Sequence, residues 1–422
     1  MNHKRRSFLK KISASSLGAF IFNPTSTFSN PPKDQPLYID KGELDWKSIR
    51  KTFPLNTEKV FMNNGTMGPS PTRVLDAVKK RMDAVNETAS YSKKHNTRQK
   101  LADFFGVKPS ELALTHNTSE GINIVASGLP LSKDDEIILC SHEHVGNALP
   151  WLNRAKKDGL VVKSFEPGDS VAENLELINA LITKRTKVIA LPHVTCTTGL
   201  VFPIKEIVEL AKPKGIYTAI DGAQAPGWKV INLEELGCDF YAGCGHKWML
   251  APKGTGFLYV KESKLDELEP SWVGGYSDAG WTLQPAKIKG WNPTAHRYDF
   301  ATQNDALLVG FDEAITFLDE LGIESIELRT RALAENLYEQ LQSLGEKVKL
   351  LSPSEEASRS TLIGFRVNNG MNYKDLWSEL NKQKYRVRMV PEAGLNSLRV
   401  STHIYNSPEE IDGFINTLKN YL

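Results

Sequence analysis

Between residues 60 and 310, short apolar runs alternate with longer stretches of helical periodicity, and this alternation limits the possible folds more than any other feature. Residues 173–184 and 204–212 predict helices. Four runs predict buried strands: Glu136–Cys140, Val161–Phe165, Val188–Pro192 and Tyr217–Asp221. Because helices that separate strands form crossover connections, the sequence predicts an α/β fold with a mostly parallel sheet covered on both faces.

The C-terminal part of the chain has a different pattern. A helical pattern runs from Asp305 to about Leu344, short strands are predicted over residues 361–366 and 398–401, and a terminal helix is predicted from Ser407. These features indicate a smaller α+β domain, and a chain of 422 residues is long enough for two domains. We expect the two to meet over the strand ends, where open α/β sheets bind ligands.

The N-terminal residues resemble a targeting signal. Residues 4–10 read Lys-Arg-Arg-Ser-Phe-Leu-Lys, and a weakly apolar stretch follows over residues 12–22. This order predicts export by the twin-arginine route to the periplasm, with cleavage near Thr27–Ser29 or retention by an uncleaved N-terminus. The predicted division is a signal segment (1–29), an N-terminal arm (30–60), a large domain (61–310) and a small C-terminal domain (311–422).

Charge and hydropathy limit the partners of the chain. The formal net charge is +2, but five lysines and arginines precede residue 30 with no acid among them, so the remainder carries −3. Nucleic acid is therefore not an expected partner. No uninterrupted apolar run is long enough to span a bilayer, so we expect no membrane span in the mature chain.

Four cysteines are present, and none forms a Cys-x-x-Cys pair. They are Cys140, Cys196, Cys238 and Cys244. Three of them lie in or beside predicted strands, which favours buried free thiols. Export to an oxidising compartment leaves a disulfide open as the alternative.

Lys247 is the first candidate for chemistry. An apolar run that begins near Cys238 stops at a Gly-Cys-Gly-His turn, which presents Lys247 before a second apolar run ends at Val260. Burial at a strand end disfavours the charged form of a lysine, and a neutral amine is what a Schiff base with an aldehyde requires. The alternative is a surface lysine in a hairpin loop.

Three further features complete the predicted site. Thr118 and Ser119 follow a strand and open a helix, where cap residues and free amides bind phosphate. Asp221 ends an apolar strand and needs a partner such as a protonated pyridine nitrogen, unless it caps the next helix. His144 follows another strand and could stack on a flat ring. With Lys247, these residues describe a pyridoxal phosphate site.

The same motifs resemble those of class V aminotransferase-fold enzymes, the group that includes cysteine desulfurases, kynureninases and isopenicillin N epimerases. The resemblance covers roughly residues 45–420. It implies the fold of type I pyridoxal phosphate-dependent transferases, with a mostly parallel seven-stranded sheet in the large domain and a smaller α+β C-terminal domain. It also implies an amino-acid substrate.

The resemblance further assigns a role to each matching residue. Lys247 is the Schiff-base lysine, Asp221 pairs with the pyridinium nitrogen, and Gln224 hydrogen-bonds the phenolic oxygen of the cofactor. His144 stacks on the ring. The phosphate ligands are Thr118, Ser119 and His246. Thr302, in the stretch from Arg297, reaches the phosphate of the partner subunit, which implies a homodimer with shared active sites. Arg399 binds the substrate carboxylate through its planar fork.

The chain departs from the family pattern at three points, and the last two separate it from the cysteine desulfurases. Cys244 stands where a serine commonly binds the phosphate, and Cys196 stands where the desulfurases have asparagine. No cysteine follows Cys244, so the segment 390–397 lacks their persulfide cysteine. We therefore predict a class V aminotransferase or an isopenicillin N epimerase-like enzyme, with a C–S or β-lyase as the alternative. In either case Lys247 would remove the Cα proton while Arg399 holds the carboxylate.

A metal-dependent hydrolase is the alternative from another class. His142, His144, His193 and Asp221 have the composition of a metal site, and His142 and His144 could share one strand face.

Overall fold

The computed structural model describes residues 39–40, 43–89 and 95–422. The predicted signal segment and the arm up to residue 38 lie outside these residues. Within them, the helices in chain order are α1 Trp46–Lys51, α2 Thr72–Thr88, α3 Thr97–Phe105, α4 Thr118–Gly128, α5 Val145–Asp158, α6 Val171–Leu181, α7 Ile204–Ala211, α8 Leu233–Leu236, α9 Asp305–Leu321, α10 Ile323–Gln342, α11 Tyr373–Lys382 and α12 Pro408–Lys419.

The strands of the same residues, in chain order, are β1 Ile39–Asp40, β2 Glu43–Leu44, β3 Val60–Phe61, β4 Leu112–Thr115, β5 Glu136–Cys140, β6 Val161–Phe165, β7 Thr186–Pro192, β8 Tyr217–Asp221, β9 Phe240–Cys244, β10 Gly256–Val260, β11 Trp281–Leu283, β12 Ala286–Ile288, β13 Val348–Leu350, β14 Leu362–Val367, β15 Tyr385–Arg386, β16 Arg388–Val390 and β17 Ser397–Ser401.

A seven-stranded sheet forms the centre of the fold, in the order β4-β10-β9-β8-β7-β5-β6. The five strands from β9 to β6 are parallel to their neighbours, and β10 is antiparallel to both β4 and β9. The predicted α/β fold with a mostly parallel seven-stranded sheet is confirmed. Three of the four predicted strands have the predicted bounds, and β7 begins two residues earlier, at Thr186.

Alternating residues of the central strands enter two separate cores. Ile138 of β5 belongs to one core, and Ile137 and Leu139 belong to the other. The helices that cover each face are amphipathic: α7 buries Ile204 and Ala211, which lie two turns apart, together with Ile207 and Val208 between them. Both faces of the sheet are therefore buried, as expected for parallel strands linked by helices.

The C-terminal part forms an antiparallel sheet in the order β13-β14-β17-β16, covered by α10, α11 and α12. Where one helical pattern was predicted from Asp305, the structure has two helices. They are separated at Gly322, whose backbone is left-handed with φ 78°. The predicted domain boundary at residue 310 lies inside α9 and stays a prediction. Near the N-terminus, β3 pairs with β15, and Asn63 bridges to Ser401. Among the described residues, no helix has the length and apolar content needed to cross a membrane.

Candidate active site

A cavity of about 440 Å³ lies where the carboxyl ends of β7, β8 and β9 meet β16 and β17. Its size is that of a typical small-ligand site. Eight of the nine predicted site residues line it, and the structure thus brings together residues far apart in sequence. The lining residues are Gly65, Thr66, Asn117, Thr118, Ser119, His144, Cys196, Asp221, Ala223, Gln224, Cys244, His246, Lys247, Arg388 and Arg399.

Lys247 lies in the turn that joins β9 to β10, three residues after Cys244. The turn is held by close backbone contacts. The amide of Gly68 donates to the carbonyl of His246 at 2.9 Å, and a Cβ added at Gly68 would lie 1.9 Å from the carbonyl oxygen of Lys247. Trp248 anchors the next position, because its ring stacks on His403 at 5.5 Å between ring centroids. The lysine is therefore presented by a rigid turn.

The first turn of α4 forms one wall of the cavity. Its N-cap is Asn117, whose Oδ1 accepts from the amide of Glu120 at 3.0 Å, so the prediction that Thr118 and Ser119 are the cap residues is wrong. They are the first two helical residues instead, and the first amides of a helix have no partner within it. Because Asn117 supplies the cap, the side chains of Thr118 and Ser119 are left for a ligand.

Two buried polar atoms near this wall have no hydrogen-bond partner among the described residues: Oγ1 of Thr118 and Nδ1 of His246. The thiol of Cys244 interacts with the Thr118 hydroxyl, but sulfur is a weak hydrogen-bonding group. Burial, and next the charge of Lys247, lower the pKa of His246 to about 4, so the ring is neutral at neutral pH. Unpartnered polar groups beside a helix N-terminus fit the phosphate of the predicted cofactor.

Asp221 is 4% exposed at the carboxyl end of β8. Its Oδ1 accepts from the amide of Ala223 at 2.8 Å, and no lysine, arginine or histidine forms an ion pair with it within the described residues. Burial raises the pKa of Asp221, against the hydrogen bond from Ala223 and the charge of Lys247. No helix starts directly after this strand, so the alternative of a helix cap is wrong. A cationic ring nitrogen would supply the missing partner.

His144 follows β5 and caps α5 through Nδ1, which accepts from the amide of Gly146 at 3.0 Å. Burial, and then the charge of Lys247, lower the pKa of His144 and so favour the neutral ring. Because Nδ1 accepts a hydrogen bond, the proton of that neutral ring lies on Nε2. The residue before it, Glu143, is partly exposed as a whole, but its Oε2 is buried without a hydrogen-bond partner in the described structure. Burial raises the pKa of Glu143 well above its usual range.

Gln224 is fixed at both ends of its amide. Nε2 donates to the carbonyl of Gly65 at 2.9 Å, and Oε1 accepts from the indole of Trp248 at 2.8 Å. One amide proton is left to donate into the cavity. This arrangement fits the predicted contact with a phenolic oxygen.

Arg399 is 1% exposed, on β17. Its guanidinium donates to the carbonyl of Cys196 at 2.5 Å and to the side-chain oxygens of Asn63 and Thr66 at 3.1 and 3.2 Å. All three acceptors are neutral, and Nε has no partner among the described residues. Burial, and next the charge of Arg388, lower the pKa of Arg399 to about 9. A buried guanidinium without a carboxylate is suited to bind an anionic ligand.

All four cysteines are buried and free, as predicted from their positions. Cys196 and Cys244 line the cavity, and burial raises the pKa of both thiols. The thiolate is the nucleophilic form, so neither residue has the environment of a nucleophile.

The residues of the alternative metal site do not converge. His142 bonds to Glu166 at 2.9 Å, and His193 bonds to the hydroxyl of Tyr241 at 3.0 Å. Within the described parts of the chain, no group of three histidine, cysteine or acidic residues is placed to hold a metal ion. The alternative of a hydrolase that uses His142, His144, His193 and Asp221 is therefore wrong.

Thr302 is the one predicted site residue outside this cavity. It lines a separate, mainly apolar cavity with Arg98, Tyr276 and His296. Its predicted contact is with a partner subunit, so that role stays a prediction.

Two residues of the site were not predicted from the sequence. Trp248 fixes Gln224, and Arg388 lines the cavity opposite Arg399 on the neighbouring strand. Trp248 had no specific signal in the sequence, where it is only an aromatic residue next to Lys247. For Arg388, the signal was a second arginine eleven residues before Arg399 in the sequence.

Comparison with known proteins points to one family. The family model described as aminotransferase class-V matches residues 70–414. Isopenicillin N epimerase of Streptomyces clavuligerus is 30% identical over 89% of this chain and 98% of its own length. A probable cysteine desulfurase of Pyrococcus abyssi is 29% identical over 88% of this chain and 96% of its own length.

Solved structures of C-DES, a cystine C–S lyase, have a similar fold. One contains glycine covalently linked to the pyridoxal phosphate cofactor, and another contains the reaction product cysteine persulfide. Each superposes with a TM-score of 0.80 at 26% identity, over 87% of this chain and 98% of the C-DES chain.

Proposed function

The chain belongs to the aminotransferase class-V family of pyridoxal phosphate-dependent enzymes, and from this premise we propose that it epimerises or transaminates an amino acid at Cα. The observation that carries the proposal is the placement of Arg399 and Lys247 in one cavity. A buried guanidinium without an anion binds the α-carboxylate, and the amine in the same cavity reaches the carbon beside it.

Six residues of the cavity have a part in this proposal. Pyridoxal phosphate, when bound, supplies an electron sink for negative charge at Cα. Thr118, Ser119 and His246 hold its phosphate, and Asp221 stabilises a positive ring nitrogen. Lys247 anchors the cofactor and, when free, accepts the Cα proton as general base. His144 covers the ring face in its neutral form, so it adds no charge beside the lysine.

A C–S or β-lyase is the second candidate, because the similar C-DES protein is a cystine C–S lyase. A desulfurase that uses a persulfide cysteine is disfavoured, since no cysteine follows Cys244 and the two thiols of the cavity are buried and protonated. Reaction of the purified enzyme with amino acids in D₂O separates the outcomes. Deuterium at Cα with loss of optical activity indicates an epimerase, exchange with 2-oxo acids a transaminase, and released sulfide or pyruvate a lyase.

Borohydride reduction tests the cofactor site before any substrate is known. Peptide mapping should find the reduced cofactor on Lys247 and not on Lys253, an exposed lysine six residues further along the chain. A Lys247→Ala variant should lose the label and the turnover, and Lys253→Ala should keep both. A label on Lys253, or a protein that takes up no pyridoxal phosphate, would contradict the proposal.

We also propose a homodimer in which Thr302 completes the site of the partner. Mixed dimers of Lys247→Ala and Thr302→Val chains test this sharing. If sites are shared, one site of each mixed dimer has both native residues, so mixing two inactive or weakened parents restores activity. If each chain builds its own site, mixing restores nothing.

Export by the twin-arginine route remains a proposal that rests on residues 4–10. Lysine substitution of Arg5 and Arg6 should leave the protein in the cytoplasm, as measured by cell fractionation. An unchanged periplasmic fraction would reject the proposed route.

A further inference from the structure

Two arginines face the same cavity from neighbouring strands. Arg388 of β16 lies directly opposite Arg399 of β17 in the antiparallel register. Residues that are directly opposite in an antiparallel pair project from the same face of the sheet. Both guanidiniums accordingly line the cavity, and the charge of Arg388 acts on Arg399. The side chain of Arg388 is 22% exposed, so it lies nearer to solvent than Arg399.

We propose that the substrate is an amino acid with a second carboxylate on its side chain, and that Arg388 binds this distal carboxylate while Arg399 binds the α-carboxylate. The inference rests on the proposed function and deepens it by naming the class of substrate. Arg388 is then a specificity-determining residue.

The two guanidiniums of the lining favour a substrate with two negative groups. The cofactor of the proposed function engages Lys247 and Asp221, which leaves Arg388 and Arg399 as the arginine side chains of the lining that can meet a substrate within the described residues. A monocarboxylic substrate engages Arg399 alone and leaves the second fork without a role in binding.

The present partner of Arg388 is a carboxylate that a substrate can replace. Glu392 accepts hydrogen bonds from both terminal nitrogens of the Arg388 guanidinium: Nη1 donates to Oε2 at 3.2 Å, and Nη2 donates to Oε1. Glu392 follows β16 in a short segment outside the cavity lining, and its side chain is 26% exposed. A substrate carboxylate can make the same two bonds that Glu392 makes, so exchanging one carboxylate for the other leaves the hydrogen bonding of Arg388 unchanged.

The geometry also favours a carboxylate over a neutral side chain. Arg388 already holds a carboxylate in the planar, two-bonded arrangement that suits a guanidinium. A neutral amide offers one acceptor oxygen and no charge, so it cannot replace both bonds.

Unreactive dicarboxylates test the inference without turnover. Malonate, succinate, glutarate and adipate are titrated into the cofactor-loaded protein by calorimetry, each beside its half-amide. For the length that spans the two arginines, the dicarboxylate should bind about tenfold more tightly than its half-amide, because one charge-assisted contact is lost. Equal affinity at every length would overturn the inference.

Three variants separate substrate binding from a structural role of the ion pair. Arg388→Gln should reduce the affinity ratio to near one. Arg386→Gln is the matched control, because Arg386 is exposed and lies over the ring of Phe61, and it should keep the wild-type ratio. Glu392→Gln should raise dicarboxylate affinity, because it removes the competing carboxylate.

A purely structural pair gives a different result. Glu392→Gln and Arg388→Gln would then weaken dicarboxylates and half-amides alike, and this outcome would overturn the inference. Failure of the proposed function is distinguishable, since the protein would then take up no pyridoxal phosphate and a monocarboxylate such as butyrate would not bind at Arg399.

Discussion

Replacing Thr118 by valine should change the stability of the cofactor-free protein and its affinity for the cofactor in opposite directions. The hydroxyl of Thr118 is buried at the start of α4 and has no hydrogen-bond partner among the described residues apart from the weak interaction with Cys244. Valine has the same shape, and both residues are β-branched with similar helix propensity. The substitution therefore removes the hydroxyl and changes little else.

The expected magnitudes follow from this environment. A buried hydroxyl without a hydrogen bond costs about 1–3 kcal/mol, and the contact with the thiol offsets part of that cost. We expect Thr118→Val to raise the free energy of unfolding of the cofactor-free protein by about 1 kcal/mol. A hydrogen bond to a charged phosphate contributes roughly 1.5–3 kcal/mol, so the dissociation constant for the cofactor should rise about 10- to 100-fold.

Urea unfolding of the cofactor-free protein measures the first effect. Titration with pyridoxine 5′-phosphate measures the second, because this compound has the phosphate but no aldehyde and cannot bond to Lys247. Thr361→Val is the control: Thr361 is 1% exposed, its hydroxyl also has no partner in the described structure, and it does not line the cavity. It should stabilise the protein and leave affinity unchanged. A Thr118→Val protein that is less stable but binds the ligand normally would refute the reasoning.

Three further substitutions test the site. Gly68→Ala places a Cβ against the carbonyl of Lys247 and should lower both stability and cofactor uptake by absorbance, whereas Gly275→Ala, with no atom within 4 Å of its added Cβ, should change neither. Glu143→Gln should stabilise the protein increasingly as pH rises above about 5 in thermal unfolding, because the raised carboxyl pKa makes the native state lose stability above the unfolded pKa; a pH-independent difference would contradict this. Arg399→Lys keeps the charge but loses the fork, so KM should rise by about tenfold or more with a smaller change in kcat, and an unaltered KM would exclude the carboxylate role.

The elements of the large sheet could be predicted from the sequence because their pattern is local. The run Glu136–Cys140 is apolar along its length, as a strand buried on both faces requires, and the structure has a strand with these bounds. The break at Gly322 was not predicted, because the helical periodicity continues on both sides of it. One left-handed residue separates two helices there, and periodicity does not report that change of direction.

Single residues of the site were predictable where a residue type has few other uses. A carboxylate at the end of a buried strand, as in Asp221, needs a partner wherever the chain folds. The cap of α4 was assigned to the wrong residues, because Asn117, Thr118 and Ser119 are all favoured at that position and only the backbone decides among them. The opposition of Arg388 and Arg399 depends on the register of two strands joined by a loop, and the sequence pattern does not specify that register.

Asp221 and Arg399 are both buried in one cavity, yet they do not pair with each other. A carboxylate and a guanidinium that formed an ion pair with each other would stabilise the ligand-free protein and oppose the entry of a charged ligand. Here burial disfavours the charged form of each, which raises the pKa of Asp221 and lowers that of Arg399. Each cost falls when a counter-charge arrives, so a cationic ring nitrogen and a carboxylate bind more tightly than they would to a paired site. The separation of Asp221 from Arg399 therefore lowers the stability of the ligand-free protein and raises its affinity for both ligands. Binding of the cofactor and then of a carboxylate should stabilise the fold in two successive steps.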